Sequence, residues 1–231
     1  GPALLVAAAI NEDAGCGSSL IVTLRLEDGR ELPLVVDTGS PMTVLDKSLE
    51  PTLGKCLGTT TLNNFGVLYD GNFYAAPRLY LGDVCLATDE TVVTSDIVQK
   101  TSSNAGCPVL GILGMDCMRH YCIQFDFADR KTRLLDPNRV EPATLGKALP
   151  LTFSSQGNTH DQWVRPYVHH NHLVGTESID VLIDTGYDAD GALEPKVLRR
   201  EIQAHRLRAV HETNDANEPK AAHLAECTWS G

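Results

Sequence analysis

Long apolar runs are missing from this sequence. The one stretch near a terminus, Ala3 to Ile10, is too short to span a bilayer and lacks the basic flank of a signal peptide, so it reads as a first strand and no membrane span is expected. Basic side chains are also in short supply. Nineteen Lys and Arg against thirty Asp and Glu leave a formal charge of -11, which repels phosphate backbones and argues against a nucleic-acid partner. An acidic surface of this kind suits work at low pH. No CxxC pair occurs, and the seven cysteines (Cys16, Cys56, Cys85, Cys107, Cys117, Cys122, Cys227) follow no zinc-type spacing. They read as small buried hydrophobes with one or two bridges, Cys85 with Cys107 being the expected one. The absence of GxSxG disfavours a serine hydrolase. Helical periodicity is scarce too, with short helices expected only at Asp46 to Leu49, Met115 to Tyr121 and Pro195 to Ala204.

What remains is β-pattern. Leu20 to Glu27 alternates apolar and polar residues, Asp28-Gly29 supplies a tight turn, and Leu32 to Val36 resumes an extended run that ends at Asp37. Further short extended runs follow at Thr59 to Leu62, Phe73 to Leu81 and Ile123 to Phe127, with Gly, Pro and Asn between them. The expected class is all-β with a few helical turns. Asp136 to Gly146, with two prolines among polar residues, reads as a connection, so the chain divides into units 1–140 and 141–231.

An internal repeat organises the rest. Leu34-Val35-Val36-Asp37-Thr38-Gly39 is echoed by Val181-Leu182-Ile183-Asp184-Thr185-Gly186, and Val44-Leu45-Asp46 by Ala192-Leu193-Glu194 after a one-residue insertion. The copies stand a lobe's length apart, which points to duplication of a whole unit. One Asp-Thr-Gly is a weak signal, because such a triplet makes an ordinary turn in many proteins. Two copies, each closing an apolar run of the sort buried on both faces, place two aspartates at the edge of a core. Gly lets the chain turn sharply beside each carboxylate. Two carboxylates brought within a few ångströms cannot both ionise cheaply, so they would share one proton. The ionised member could then take a proton from water while the protonated one polarises a peptide carbonyl. Such chemistry calls for no metal, no cofactor and no covalent intermediate.

Val35-Val36-Asp37-Thr38-Gly39-Ser40, with Gly111-Ile112-Leu113-Gly114-Met115-Asp116, Ile123 to Asp126 and Arg130 to Leu134 downstream, resembles the aspartic peptidases, especially bacterial retropepsin-like proteins. The resemblance covers nearly all of residues 20 to 135. It implies a bilobal pepsin- or retropepsin-like fold, each lobe a ψ-type β-barrel in which the Asp strand interlocks with the Ile-Leu-Gly strand. It also implies Asp37 and Asp184 as catalytic residues, supported by Thr38, Gly39, Ser40, Thr185 and Gly186, with Thr38 and Thr185 bonding across the lobes. A flap is implied between the motifs, and Asn63 through Gly71 is its candidate, with Asn64, Phe65, Gly66 and Tyr69 over a peptide or protein substrate. An equally simple reading of that run is a plain surface hairpin.

Two features depart from the family pattern. Nothing after Gly186 resembles Ile-Leu-Gly, so the second lobe is expected to lack its closing strands unless a further segment or a second chain supplies them. Tyr187 stands where the first copy has Ser40, whose hydroxyl is expected to support the carboxylate. A non-catalytic peptide-binding or assembly module is therefore the rival reading, and pairing of two first lobes as a homodimer is a third. A secreted or periplasmic setting is preferred to a cytoplasmic one. His169, His170 and His172 lack zincin spacing and read as a polar turn with no metal. Asp116 reads as a helix cap, and Trp163 and Trp229 as packing residues.

Overall fold

The structure is a computed structural model that describes residues 4–10, 19–141, 143, 149–155, 163–172, 178–187, 192–193, 200, 203 and 222–223. Mostly β-structure is observed. Along the chain come β1 (Leu4–Ala9), β2 (Ile21–Leu26), β3 (Glu31–Val36), β4 (Val44–Leu45), a 3-10 turn (Lys47–Leu49), α1 (Glu50–Leu53), β5 (Gly58–Asn64), β6 (Val67–Ala75), β7 (Leu79–Leu81), β8 (Val84–Cys85), β9 (Thr91–Ser95), α2 (Ile97–Ala105), β10 (Gly111–Leu113), α3 (Met115–Met118), β11 (Cys122–Asp126) and β12 (Lys131–Leu135). Then follow β13 (Thr152–Ser154), β14 (Arg165–His172), β15 (Ser178–Leu182) and the short pair β16 (Ala192–Leu193) and β17 (Ala222–His223).

Nine strands form one sheet in the order β5-β6-β9-β4-β10-β3-β2-β7-β8. β1, β12 and β11 form a second sheet, and β13, β14 and β15 a third. At the centre of the large sheet β10 runs parallel to β3, with Val35 opposite Ile112, and antiparallel to β4, with Val44 opposite Ile112. β3 and β4 are the two arms of a single turn, residues 37–43, so β10 is threaded between them. The apolar run in β3 follows from this position. Leu32, Leu34 and Val36 join one core cluster with Val22, Leu24, Leu45 and Leu79, while Val35 turns to the opposite cluster with Ile21, Val44, Val93 and Ile112. A strand with cores on both sides has no polar face to alternate with.

Where β10 leaves the sheet it passes under the 37–43 turn. A Cβ on Gly114 would lie 2.2 Å from the Met42 carbonyl oxygen. The colliding atom is backbone and cannot rotate away, so Gly114→Ala should cost about 3 kcal/mol, and thermal unfolding should show a midpoint lowered by roughly 6–12 °C.

Several expectations need correction here. Cys85 carries a free thiol on an exposed edge, while Cys107 is disulfide-bonded, so the two are not each other's partners. The helix expected at Asp46 to Leu49 starts after Asp46, whose carboxylate accepts from the Ser48 amide at 2.9 Å, and continues to Leu53. Met115 to Tyr121 is helical only to Met118. The run Phe73 to Leu81 is split at Ala76–Arg78, where Pro77 cannot donate to a ladder. α2 was not legible, because only Ile97, Val98 and Ala105 of its nine residues are buried, too few to set a period. The helix expected at Pro195 to Ala204 falls largely outside the described residues, as does Trp229. The three histidines lie on strand β14, not in a turn. His169 Nδ1 is 2.7 Å from Asp180 Oδ1 on β15, a cross-strand pair.

Asp116 is the most consequential correction. Gly114 is the N-cap of α3, and Asp116 lies inside its first turn. Its side chain is buried, 2% exposed, and Oδ1 accepts from Thr43 Oγ1 at 2.7 Å, while Thr43 Oγ1 in turn accepts from the Gly114 amide at 3.2 Å. Burial raises its pKa, with the Thr43 hydrogen bond opposing. Asp116 thus ties the exit of β10 to the turn that carries Asp37.

Candidate active site

Asp37 follows directly on β3, and its amide donates to Leu113 O on β10 at 3.0 Å. Asp184 follows β15 by two residues, after Ile183, whose amide donates to Pro166 O on β14 at 3.0 Å. Each aspartate is thus carried on a strand end fixed by a neighbouring strand. Each also folds back onto its own turn. Asp37 Oδ1 accepts from the amides of Gly39 at 2.8 Å and Ser40 at 3.0 Å, and Asp184 Oδ1 accepts from the Gly186 amide at 2.9 Å. Short polar side chains that bond the backbone two or three residues on define such turns.

The two turns meet through their threonines, and the bonding is reciprocal. The Thr38 amide donates to Thr185 Oγ1 at 3.1 Å, and the Thr185 amide to Thr38 Oγ1 at 3.0 Å. Each hydroxyl then donates onward to the strand opposite, Thr38 Oγ1 to Ile183 O at 2.6 Å and Thr185 Oγ1 to Val36 O at 2.8 Å. Both hydroxyls therefore act as donor and acceptor at once.

This contact sets the carboxyls against each other. A Cβ on Gly39 would stand 2.5 Å from the Asp184 Cγ, and one on Gly186 would stand 2.3 Å from the Asp37 Cγ. Each glycine is the floor beneath the other copy's carboxyl, a close approach that any side chain would block. The two carboxyls share a hydrogen bond. Asp37 is pushed up to about 8, first by burial of its carboxyl, then by the charge of Asp184, then by that hydrogen bond, against the downward pull of the Gly39 and Ser40 amides. Like charges set this close disfavour ionising both, so Asp37 is biased toward its protonated form.

The remaining site residues differ in how they enter. Ser40 supports Asp37 through its amide, whereas its hydroxyl donates to Met42 O at 2.7 Å, so the side chain braces the turn and not the carboxylate. Asn64, Phe65 and Gly66 lie at the tip of the β5–β6 hairpin, where Asn64 opposes Val67 and the turn has two residues. Phe65 has φ 49° and Gly66 φ 90°. A left-handed backbone at a bulky residue costs about 1–2 kcal/mol. The Gly66 amide donates to Asn63 Oδ1 at 2.7 Å, so Asn63, not Asn64, closes the tip. Tyr69 packs with Phe73 and Trp163 against the smaller core cluster. The Phe65 ring meets that of Tyr187 with centroids 5.9 Å apart, tilted by 53°. Thr43 and Asp116 beneath the turn, and Tyr187 as a contact of the hairpin, were not foreseen. Short polar or aromatic residues carry no period that would flag them.

No protein-family model matches this chain, and no curated protein matches it. Among solved structures it is similar to the crystal structure of a retropepsin-like aspartic protease from Rickettsia conorii, with 16% sequence identity and a TM-score of 0.37, over 56% of this chain and 97% of that one.

Proposed function

We propose that this chain is an aspartic-type endopeptidase in which two lobes, residues 1–140 and 141–231, contribute one catalytic aspartate each, Asp37 and Asp184. The observation that carries the reading is the interleaving of the two turns, each carboxyl resting on the other copy's glycine. No structural need explains two half-buried carboxyls set against each other, since like charges that close repel and their desolvation opposes folding. Such an arrangement suits a pair that works by sharing a proton.

In the proposed reaction a water molecule lies between the carboxyls. The ionised member removes a proton from it, its oxygen adds to the peptide carbonyl carbon, and Asp37 gives its proton to the carbonyl oxygen. Collapse of the tetrahedral adduct breaks the C–N bond, and the amine leaves with a proton returned from the pair. Thr38 and Thr185 hold the spacing, Gly39 and Gly186 permit it, and the hairpin bearing Asn64, Phe65, Gly66 and Tyr69 covers the peptide. Main-chain pairing to such a hairpin edge would bind an extended substrate with little regard to its side chains.

The test is a pH profile of peptide cleavage. Asp37 must be protonated to act as the acid, and with its pKa raised the protonated form persists below about 8 and is lost above it. Activity is therefore expected on the acid and neutral side and should fall tenfold per pH unit beyond about 8. A rate that rises through that point would contradict the assignment of Asp37 as the acid.

A further inference from the structure

The tip of the β5–β6 hairpin holds a residue that the hairpin itself does not call for. Two-residue turns with left-handed backbone at both positions favour Asn, Asp or Gly at the first. Here Phe65 occupies it at φ 49°, although two asparagines directly precede it. Nor does the hairpin's own core recruit the ring, since Phe65 is 58% exposed. Strain at a bulky residue persists where something outside the local turn uses that side chain. Its partner is Tyr187, at 5.9 Å between ring centroids. Tyr187 directly follows Gly186, the glycine on which the Asp37 carboxyl rests.

The second repeat's departure from the first acquires a role through this contact. In the first copy the residue after the glycine, Ser40, turns inward and braces its own turn through Met42 O. In the second copy the equivalent residue turns to the hairpin.

We infer that Phe65 and Tyr187 form a latch that holds the hairpin tip down beside the Asp37–Asp184 pair, and that an entering peptide must separate the two rings. Both are positioning residues, acting through the hairpin. The consequence for cleavage rests on the peptidase reading; the latch itself does not. An aromatic pair of this kind shifts an opening equilibrium by roughly fivefold.

Two readouts test it on the full chain, using wild type, Phe65→Asn, Tyr187→Ala and Tyr187→Phe. Phe65→Asn relieves the turn while removing the ring, so the hairpin stays folded. Hydrogen exchange of the amides at residues 60–70 should quicken about fivefold in Phe65→Asn and Tyr187→Ala, and Tyr187→Phe should match wild type. With a peptide substrate Tyr187→Ala, which leaves the hairpin's own residues in place, should lower KM about fivefold, the change falling on KM and not on kcat. Unchanged exchange in either variant overturns the latch whatever the cleavage rate. Quickened exchange with no cleavage by any of the four proteins keeps the latch and sinks the peptidase reading. Quickened exchange in Tyr187→Ala with an unchanged or raised KM overturns the claim that peptide entry separates the rings.

Discussion

Replacing Asp37 by Asn is expected to abolish peptide cleavage, by at least about a thousandfold, while leaving the protein folded and more stable at neutral pH. The loss follows from the role of the carboxyl. An amide can still accept from the Gly39 and Ser40 amides, which hold Asp37 Oδ1 at 2.8 and 3.0 Å, so the turn is kept. It cannot pass a proton to a carbonyl oxygen, and such transfers are worth roughly 10²–10⁴ in rate. The gain in stability follows from linkage. Asp37 has its pKa raised from 3.8 to about 8 in the folded protein, so the folded state holds a proton that the unfolded chain releases. Stability from this group is complete below the ordinary carboxylate range and drains away as pH climbs through the folded value. Asn does not titrate and escapes that loss. At neutral pH the gain should be on the order of 2 kcal/mol, read as a rise of roughly 4–8 °C in the unfolding midpoint. Equal cleavage by the variant would end the assignment. A lower midpoint would show that the carboxyl stabilises the fold, which burial beside Asp184 argues against.

The second large effect is expected at the threonines. Thr38→Val together with Thr185→Val keeps the shape of both side chains but deletes four hydrogen bonds, those to Ile183 O and Val36 O and those from the two reciprocal amides. Orphaned backbone groups at a close contact cost about 1–3 kcal/mol each when water cannot reach them. Partial access of water lowers that figure, so the pair should cost about 4 kcal/mol in all. Catalysis should suffer further, because these bonds join the two turns that carry the carboxyls, and a displacement near 1 Å at reacting groups loses roughly a hundredfold in rate. Thr→Ser at both positions retains every hydroxyl and should stay within about 1.5 kcal/mol of wild type, the value of two lost methyls. A Val pair as stable and as active as the Ser pair would show that the threonines only fill space.

Much of this arrangement was legible because apolar continuity has a definite cause. β3 reads as Leu-Val-Val because β2 and β10 flank it and a core lies on each face. The echo at 181–183 identified a second strand end, although there Val181 and Leu182 are only half-buried and Ile183 is exposed, and the sheet topology then accounts for why β10, Gly111–Leu113, is all apolar. What escaped the sequence was side-chain direction. Ser40 looked like a donor to the carboxylate, yet its hydroxyl serves Met42 O, since the amide already reaches Asp37 Oδ1. Asp116 looked like a cap because it follows a glycine at a helix start. The helix is a single turn lying beneath the 37–43 loop, which directs the carboxyl inward to Thr43. The cysteine expectation failed for a related reason. Sequence spacing holds no information on which strand edge a thiol faces, and Cys85 sits on the exposed rim at β8.

The most direct measurement is a binding titration with a statine-type peptide, whose tetrahedral hydroxyl takes the place of the attacking water between the two carboxyls. The wild-type protein should bind it at least about a hundredfold more tightly than the matching unmodified peptide, and Asp37→Asn should erase that preference. Equal affinity for the two peptides, or a preference that survives in Asp37→Asn, would contradict a working Asp37–Asp184 pair.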